Sequence, residues 1–145
     1  MDVREIGRLL KQLSDKMEAT CNADLKRLDL TIAQSRVLLF LDEQPEKWAS
    51  QRELEAHLEV SHATIHGILA RMEAKGLIRV ETSVQDRRMR IVRLNTNDRA
   101  LAAIRVQQQE HMSVLTCGLD TDELVRMIQT MLDNHAQYFS DREGV

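Results

Sequence analysis

The spacing of the apolar residues changes at Gly76, and this change constrains the fold more than any other feature of the sequence. Up to Gly76 the apolar residues follow helical spacing, at Ile65, Ile68, Leu69 and Met72. Beyond it, "LIRVETS" and "MRIVRLN" alternate between apolar and polar residues, which is typical of β-strands. The intervening "VQDRR" has the character of a hairpin tip. The sequence therefore predicts a β-hairpin that directly follows a helix.

Two short helices joined by a tight turn are predicted ahead of this hairpin. Ser50 and Glu53 form a Ser-x-x-Glu capping box, so the first helix should begin at about Gln51. A turn at residues 59–60 follows, and Ser61 is placed to cap the second helix. This pattern predicts a helix-turn-helix, and a helix-turn-helix followed by a hairpin is a winged helix.

Two further helices are predicted before the helix-turn-helix. Residues 3–25 carry apolar side chains at helical spacing and form an amphipathic helix. Thr31 is a plausible N-cap for a second helix, whose apolar run at residues 37–41 predicts burial nearly all round. A loop that contains Pro45 and Trp48 ends this helix, and we expect Trp48 to pack over a helix junction.

A final helical region follows the hairpin. Asn95 can cap it, and an apolar stripe continues to about Phe139, with a break at residues 118–120. The first and last helices are too long and too apolar for a domain whose core the winged helix already fills. Pairing with the same helices of a second copy is the economical solution, and burial within one chain is the alternative.

Composition and charge agree with a mainly α protein that has a polarised surface. Only 3% of the 145 residues are aromatic, and the single Pro and five Gly favour long helices. The net charge is −3, but residues 61–95 carry +4 and the rest of the chain carries −7. A basic segment in an acidic frame is compatible with nucleic-acid binding.

Cysteine usage and hydropathy bear on the compartment. Cys21 and Cys117 stand far apart, in no metal-ligand spacing, and the chain opens with "MDVREIGRLL" where a signal segment would be apolar. No run approaches the roughly 20 apolar residues that span a bilayer. We expect a cytoplasmic protein with no membrane partner. Oxidant sensing by either thiol is an alternative, and burial in a helix stripe is the more common fate.

Three stretches in order resemble the MarR family, the multiple-antibiotic-resistance type of winged-helix regulator. They are "DLTIAQSRVLLFL", "SHATIHGILARMEAKGLIRV" and "DRRMRIVRLN", within residues 28–101. After the wing this chain departs from the family's Leu-Thr-x-x-Gly, because Asp98 replaces the Gly. The resemblance implies a homodimeric, sequence-specific DNA-binding regulator, usually a repressor, that responds to a small amphipathic effector, to an oxidant or to zinc. It also implies dimerisation through residues 1–27 and 96–145, with DNA binding by residues 28–95.

In this reading the second helix of the helix-turn-helix enters the major groove of double-stranded DNA. The predicted DNA-binding residues are Ser61, His62, Ala63, Thr64, His66, Gly67, Arg71, Lys75, Asp86, Arg87, Arg88 and Arg90. Ala63 and Thr64 can approach a thymine methyl group, while His62 and His66 can bond to base edges. Gly67 costs stability inside a helix, which close approach to DNA or a crowded helix crossing would explain.

The basic residues of this set have predicted roles of their own. Arg71 and Lys75 most simply meet phosphates. The resemblance implies that Asp86 orients Arg88 toward the minor groove, where an arginine gains from the negative potential. Arg87 and Arg90 are expected at the DNA backbone. By two-fold symmetry, the dimer would bind a pseudo-palindromic operator with half-sites about 10 base pairs apart.

Other function classes are less well supported. The four-residue spacing of His62 and His66 suits a helical metal site, but the sequence places no third ligand beside them. There is no P-loop, GxGxxG, GxSxG or HExxH motif, so we expect neither an enzyme nor a cofactor. A winged helix that binds an acidic protein instead of DNA is a further alternative. The effector-binding residues are unknown, beyond a guess that the first two helices line a cavity.

Overall fold

The computed structural model describes residues 2–95 and 98–140. In chain order the elements are α1 (Val3–Lys26), α2 (Ile32–Glu43), β1 (Trp48–Ser50), α3 (Gln51–Leu58), α4 (His62–Ala74), β2 (Ile78–Thr82), β3 (Arg90–Leu94), α5 (Asp98–Leu115) and α6 (Thr121–Phe139). The protein is mainly helical with a small β-hairpin wing, which confirms the predicted fold class. It divides into two compact units, residues 1–107 and 108–145. No helix in the described part of the chain is long and apolar enough to cross a membrane.

Side-chain caps begin the helices of the winged helix where the sequence predicted them. The Thr31 hydroxyl accepts the backbone N–H of Gln34 at 3.2 Å, and the Gln34 side chain returns a bond to the Thr31 amide. Ser50 and Glu53 make the same reciprocal pair at 3.1 and 2.8 Å. Each box satisfies two backbone N–H groups that a helix start leaves without partners, which fixes the starts of α2 and α3.

The two turns that flank α4 use left-handed backbone conformations. Glu59 ends α3 at φ 55° and ψ 45°, a region that residues with a Cβ enter at a cost. Gly76 ends α4 at φ 76°, with its N–H bonded to the carbonyl of Glu73. Because the N–H of Leu77 also reaches the carbonyl of Met72, the end of α4 is a Schellman motif, as expected for a glycine there.

The hairpin is part of a three-stranded antiparallel sheet with the order β1-β3-β2. β2 and β3 pair as predicted, with Val80 opposite Val92. The prediction that Trp48 lies in a loop is wrong, because Trp48 starts β1 and pairs with Arg93 of β3. Its ring lies 5.8 Å from the guanidinium carbon of Arg93. A strand of three residues is too short to show an alternating pattern, which explains the error.

The core of the first unit is aliphatic and includes residues from every element of the winged helix. The apolar residues with no exposed surface are Val37, Leu38, Leu41, Leu54, Ile65, Met72 and Val92. The predicted inward stripe of α4 is confirmed, and Leu101 and Ile104 extend the core into the first half of α5. At the edge of this core, the Asp42 carboxylate forms ion pairs with Lys47 at 3.1 Å and with Arg105 at 2.6 Å. The winged helix thus has an aliphatic core to which Leu25 of α1 and Leu101 and Ile104 of α5 also contribute.

The terminal helices have a different pattern of burial. Within its own unit, α6 buries no residue, although it presents an apolar stripe that includes Ile128, Met131 and Leu132. In the first unit, α1 exposes apolar side chains from Val3 to Leu13 and buries only Leu25. Both predicted stripes therefore exist, and each lies open within its own unit.

The connection after the wing differs from the prediction. The last helical region is broken near Gly118 as predicted, and Asp120 caps α6 by accepting the Glu123 N–H at 3.1 Å. Asn95 does not cap α5, because α5 begins three residues later and the Asn95 amide donates to the carbonyl of Gly76 at 3.1 Å. Residues 96 and 97, which precede the departure from the family pattern at Asp98, lie outside the described residues.

Candidate nucleic-acid interface

The first two turns of α4 separate a buried face from an exposed one. Ile65 is completely buried, and the exposed residues on either side of it are Ser61, His62, Ala63, Thr64 and His66. Ser61 caps α4 by accepting the Thr64 N–H at 3.1 Å, and its hydroxyl donates to the Thr64 hydroxyl at 2.9 Å. The cap leaves the Thr64 methyl group as an apolar contact surface, as a thymine contact would require.

His62 is held by an acidic side chain of the preceding helix. Its Nδ1 lies 2.7 Å from Oε1 of Glu55, and the ring is 77% exposed while the Glu55 side chain is only 21% exposed. Gln51 donates to the same carboxylate oxygen at 3.4 Å. The carboxylate therefore fixes His62 from inside the protein and leaves the far edge of the ring in solvent.

His66 is held by a basic side chain of the wing. A terminal nitrogen of Arg90 lies 2.8 Å from Nδ1 of His66, across 24 positions of sequence. Arg90 was predicted to meet the DNA backbone, and the structure gives it this contact with α4. The bond connects β3 to the exposed face of α4.

The wing tip carries Arg87 and Arg88, and both residues are exposed. Asp86 acts on the backbone here: its carboxylate accepts the N–H of Arg88 at 3.0 Å, and its own N–H donates to Ser83 at 3.3 Å. The resemblance implied that the carboxylate orients the Arg88 side chain. In the structure Asp86 orders the turn from which that side chain projects, and the orientation of the Arg88 side chain by the carboxylate stays a prediction.

A cleft of about 700 Å³ lies between the wing, the start of α3 and the start of α4. Its walls include Gln51, Arg52 and Glu55 of α3, His62 of α4, and residues 86–90 of the wing. Gln51 is 4% exposed, and its Oε1 has no hydrogen-bond partner among the described residues. Four arginines against two carboxylates make the cleft basic, so it suits an anionic ligand such as a phosphate backbone.

Two further predicted residues differ in their surroundings. A Cβ at Gly67 would meet only the Arg71 guanidinium, at 3.6 and 3.9 Å, so the suggestion of a crowded helix crossing is wrong. Close approach to DNA stays a prediction. Lys75 contacts the α1–α2 loop, where its ammonium bonds to the carbonyl of Asp29 and lies 3.4 Å from the side chain of Gln34. These contacts hold the Lys75 side chain at the protein surface, and its phosphate contact stays a prediction.

The sensing alternatives depend on cysteines and metal ligands. Cys21 is half-buried, and burial together with the charge of Asp24 raises the pKa of its thiol, which lowers the fraction of reactive thiolate. Cys117 is exposed in the turn before α6, so the expected burial applies to Cys21 alone. Over residues 2–95 and 98–140, no cluster of three or more His, Cys, Asp or Glu side chains could hold a metal ion.

Residues 28–89, which contain α2, the helix-turn-helix, the first wing strand and the wing tip, match the model of the MarR family. Over these residues the chain is similar to the MarR family. MarR proteins of known structure agree over nearly the whole chain. The transcription regulator MarR from Oenococcus oeni is 28% identical with a TM-score of 0.71, and the match covers 91% of this chain and 98% of that one.

Two other relatives have structures that report on ligands. A cysteine mutant of MarR from E. coli, complexed with operator DNA, is 25% identical with a TM-score of 0.71, covering 91% of this chain and 94% of that one. BpsR from Bordetella bronchiseptica, whose DNA binding is regulated by 6-hydroxynicotinic acid, is 25% identical with a TM-score of 0.73, covering 88% and 91%. No curated protein sequence matches the chain. These similarities relate the chain to the MarR family of transcription regulators.

Proposed function

We propose that this protein is a MarR-type cytoplasmic repressor that binds a pseudo-palindromic operator as a homodimer. The observation that carries the proposal is the exposed start of α4, residues 61–67, beside a wing whose tip holds two exposed arginines. A helix start of this kind fits the major groove, and an arginine wing fits the adjacent backbone and minor groove. The operator complex of the E. coli relative supports the same partner.

The homodimer is proposed from the open apolar faces of α1 and α6. Ile6, Leu9 and Leu13 of α1 and Met131 and Leu132 of α6 are each between 45% and 59% exposed in the single chain. Apolar faces of this size are normally covered by a partner. We therefore assign dimerisation to residues 1–27 and 96–145 and DNA binding to residues 28–95, and a two-fold dimer then presents two copies of α4.

A small amphipathic ligand is the proposed effector, supported by the regulation of BpsR by 6-hydroxynicotinic acid. Binding of such a ligand would change the separation of the two α4 helices and so reduce operator affinity. We assign the protein no enzymatic activity. Ligand binding is tested by screening aromatic acids for a change in operator affinity.

The test of DNA binding is selection of preferred sites from random double-stranded DNA, followed by titration of the selected operator. We expect Arg88→Ala to weaken operator binding at least about 10-fold and to flatten the salt dependence, since one phosphate or minor-groove contact is lost. Arg27→Ala, which removes the same charge at the exposed end of α1, is the matched control and should bind like wild type.

Two results would contradict the proposal. Equal affinity for selected and random DNA would favour a protein-interaction module, since only a specific over non-specific ratio indicates an operator. Equal affinity of Arg88→Ala and wild type would remove Arg88 from the interface. Thermal unfolding of both variants at the wild-type temperature keeps a folding defect from being read as a loss of binding.

A further inference from the structure

The two histidines of α4 have partners of opposite hydrogen-bonding character. Nδ1 of His62 lies 2.7 Å from the Glu55 carboxylate, and Nδ1 of His66 lies 2.8 Å from the Arg90 guanidinium. An ionised carboxylate only accepts hydrogen bonds, and a guanidinium only donates them. The same ring nitrogen must therefore play opposite roles in the two residues.

The carboxylate fixes one tautomer of His62. Because Oε1 of Glu55 is an acceptor, Nδ1 of His62 must carry the proton and donate it. In the neutral ring, Nε2 then holds a lone pair and can only accept. The Gln51 amide nitrogen lies 3.4 Å from the same oxygen and 3.5 Å from Nδ1 of His62, so the carboxylate at 2.7 Å is the shorter contact of the ring and determines its tautomer.

The guanidinium fixes the other tautomer of His66. Because Arg90 donates to Nδ1, that nitrogen must keep its lone pair, and in the neutral ring the proton lies on Nε2. Protonation of Nδ1 would place two cations in contact and break the bond. The outward Nε2 of His66 is therefore a donor, whereas the outward Nε2 of His62 is an acceptor.

We propose that these partners give the two histidines opposite base specificity in the operator. His62 is matched to an amino group in the major groove, at adenine N6 or cytosine N4. His66 is matched to an acceptor, at a purine N7, guanine O6 or thymine O4. The inference rests on the proposed binding of α4 to DNA, and it makes Glu55 and Arg90 positioning residues that set what each ring can recognise.

The tautomers are measured directly, without DNA, by two-dimensional ¹H–¹⁵N NMR of the ring nitrogens in the labelled full-length protein. Spectra are recorded at about pH 8, and the cross-peaks of each ring show which nitrogen carries the proton. We expect the proton on Nδ1 in His62 and on Nε2 in His66. Glu55→Ala should release His62 to a mixture of tautomers and leave His66 unchanged. Glu43→Ala, which removes an exposed acid from the end of α2, is the control and should change neither ring.

The base assignment is tested with operators that lack single groups. Purine in place of adenine, or 2-pyrimidinone in place of cytosine, removes an amino donor. Acceptors are removed by 7-deazapurines, by 2-aminopurine in place of guanine and by 5-methyl-2-pyrimidinone in place of thymine. In wild type, loss of one donor and loss of one acceptor per half-site should each weaken binding about 3- to 10-fold, the effect of one hydrogen bond.

The histidine variants identify which ring reads each group. The donor-deleted operator should bind His62→Ala no more weakly than the intact operator does, and the acceptor-deleted operator should behave in the same way with His66→Ala. A purely structural role for either histidine would instead lower the affinity for all operators equally. With Glu55→Ala, removal of the amino donor from the operator should weaken binding less than it does with wild type. Removal of the acceptor should weaken binding as much as it does with wild type.

Each failure has its own signature. Identical tautomers in the two rings would overturn the inference whether or not the protein binds DNA. Failure to select any operator would contradict the proposed function, while the NMR result would still stand. If the tautomers are as expected but His62→Ala abolishes dependence on an acceptor, the assignment of bases to residues is wrong.

Discussion

The winged helix and α6 are both helical and apolar, but they differ in what covers their apolar side chains. In the winged helix Leu38, Leu54 and Val92 have no exposed surface, whereas α6 buries no residue and leaves Leu132 59% exposed. Burial of apolar surface is the main favourable contribution to folding. The first region can therefore be stable within one chain, while the second needs a surface from elsewhere.

The largest expected effect on the free energy of unfolding comes from a substitution in the buried core of the winged helix. Leu38→Ala removes a fully buried side chain and should lower the free energy of unfolding by about 2–5 kcal/mol. Val84→Ala, at a position 99% exposed in the wing, should change it by less than about 0.5 kcal/mol. Urea unfolding followed by circular dichroism measures both, and equal effects would show that the core does not determine stability.

A charge placed in the apolar stripe of α6 should weaken dimerisation. Ile128→Glu places a carboxylate in the apolar stripe of α6 and should raise the dimer dissociation constant at least about 100-fold, since an unpaired charge is costly to bury. Gln137→Glu adds the same charge nine residues along, on the opposite side of the helix, and should leave the dimer intact. Sedimentation velocity over a range of concentrations measures association. A monomeric wild type would contradict the proposed dimer.

Gly67 tests whether a residue of the winged helix serves binding and not stability. The structure leaves room for a methyl group, so Gly67→Ala should raise the free energy of unfolding by about 0.5–1 kcal/mol while weakening operator binding. Ala70→Gly, at an exposed position of the same helix, should lower stability by a similar amount and keep the affinity. If the Gly67→Ala protein binds DNA like wild type, the prediction that Gly67 lies close to the DNA is wrong.

The smallest effect concerns the ion pairs at the edge of the core. Hydrogen bonds from Arg105 and Lys47 hold the pKa of Asp42 below its usual value of 3.8. Stability from this group is thus fully present above pH 3.8 and is lost as the pH falls through the lower, folded-state pKa. We expect Asp42→Asn to make unfolding less dependent on pH between pH 5 and pH 2. Asp15→Asn, in an exposed pair on α1, should change that dependence less.

The features that the sequence predicted are those encoded by neighbouring residues. The side chains of Thr31, Ser50 and Ser61 cap α2, α3 and α4 by accepting the backbone N–H three residues further on. Gly76 adopts the left-handed conformation that ends α4. Such signals need no knowledge of the tertiary structure, so α2, α3, α4 and the hairpin were all predicted. The apolar stripe of α4 was equally readable, because its spacing alone identifies the inward face.

The contacts that could not be predicted from the sequence join residues that are distant along the chain. Lys75 reaches Asp29 across 46 positions, and Arg90 reaches His66 across 24. β1 was missed because it exists only by pairing with β3. Glu55 and His62 are a partial exception, because a tight turn between α3 and α4 brings residues seven apart together. A search for charged partners across that turn would have found this pair.

The left-handed backbone at Glu59 affects which substitutions this protein can tolerate elsewhere. Glycine adopts φ 55° without the steric cost that a Cβ imposes, which is roughly 1–2 kcal/mol. A glutamate codon becomes a glycine codon by a single adenine-to-guanine change at its second base. This protein therefore keeps a reserve of stability one mutation away, and that reserve could offset a destabilising substitution on the α4 surface when the operator sequence drifts.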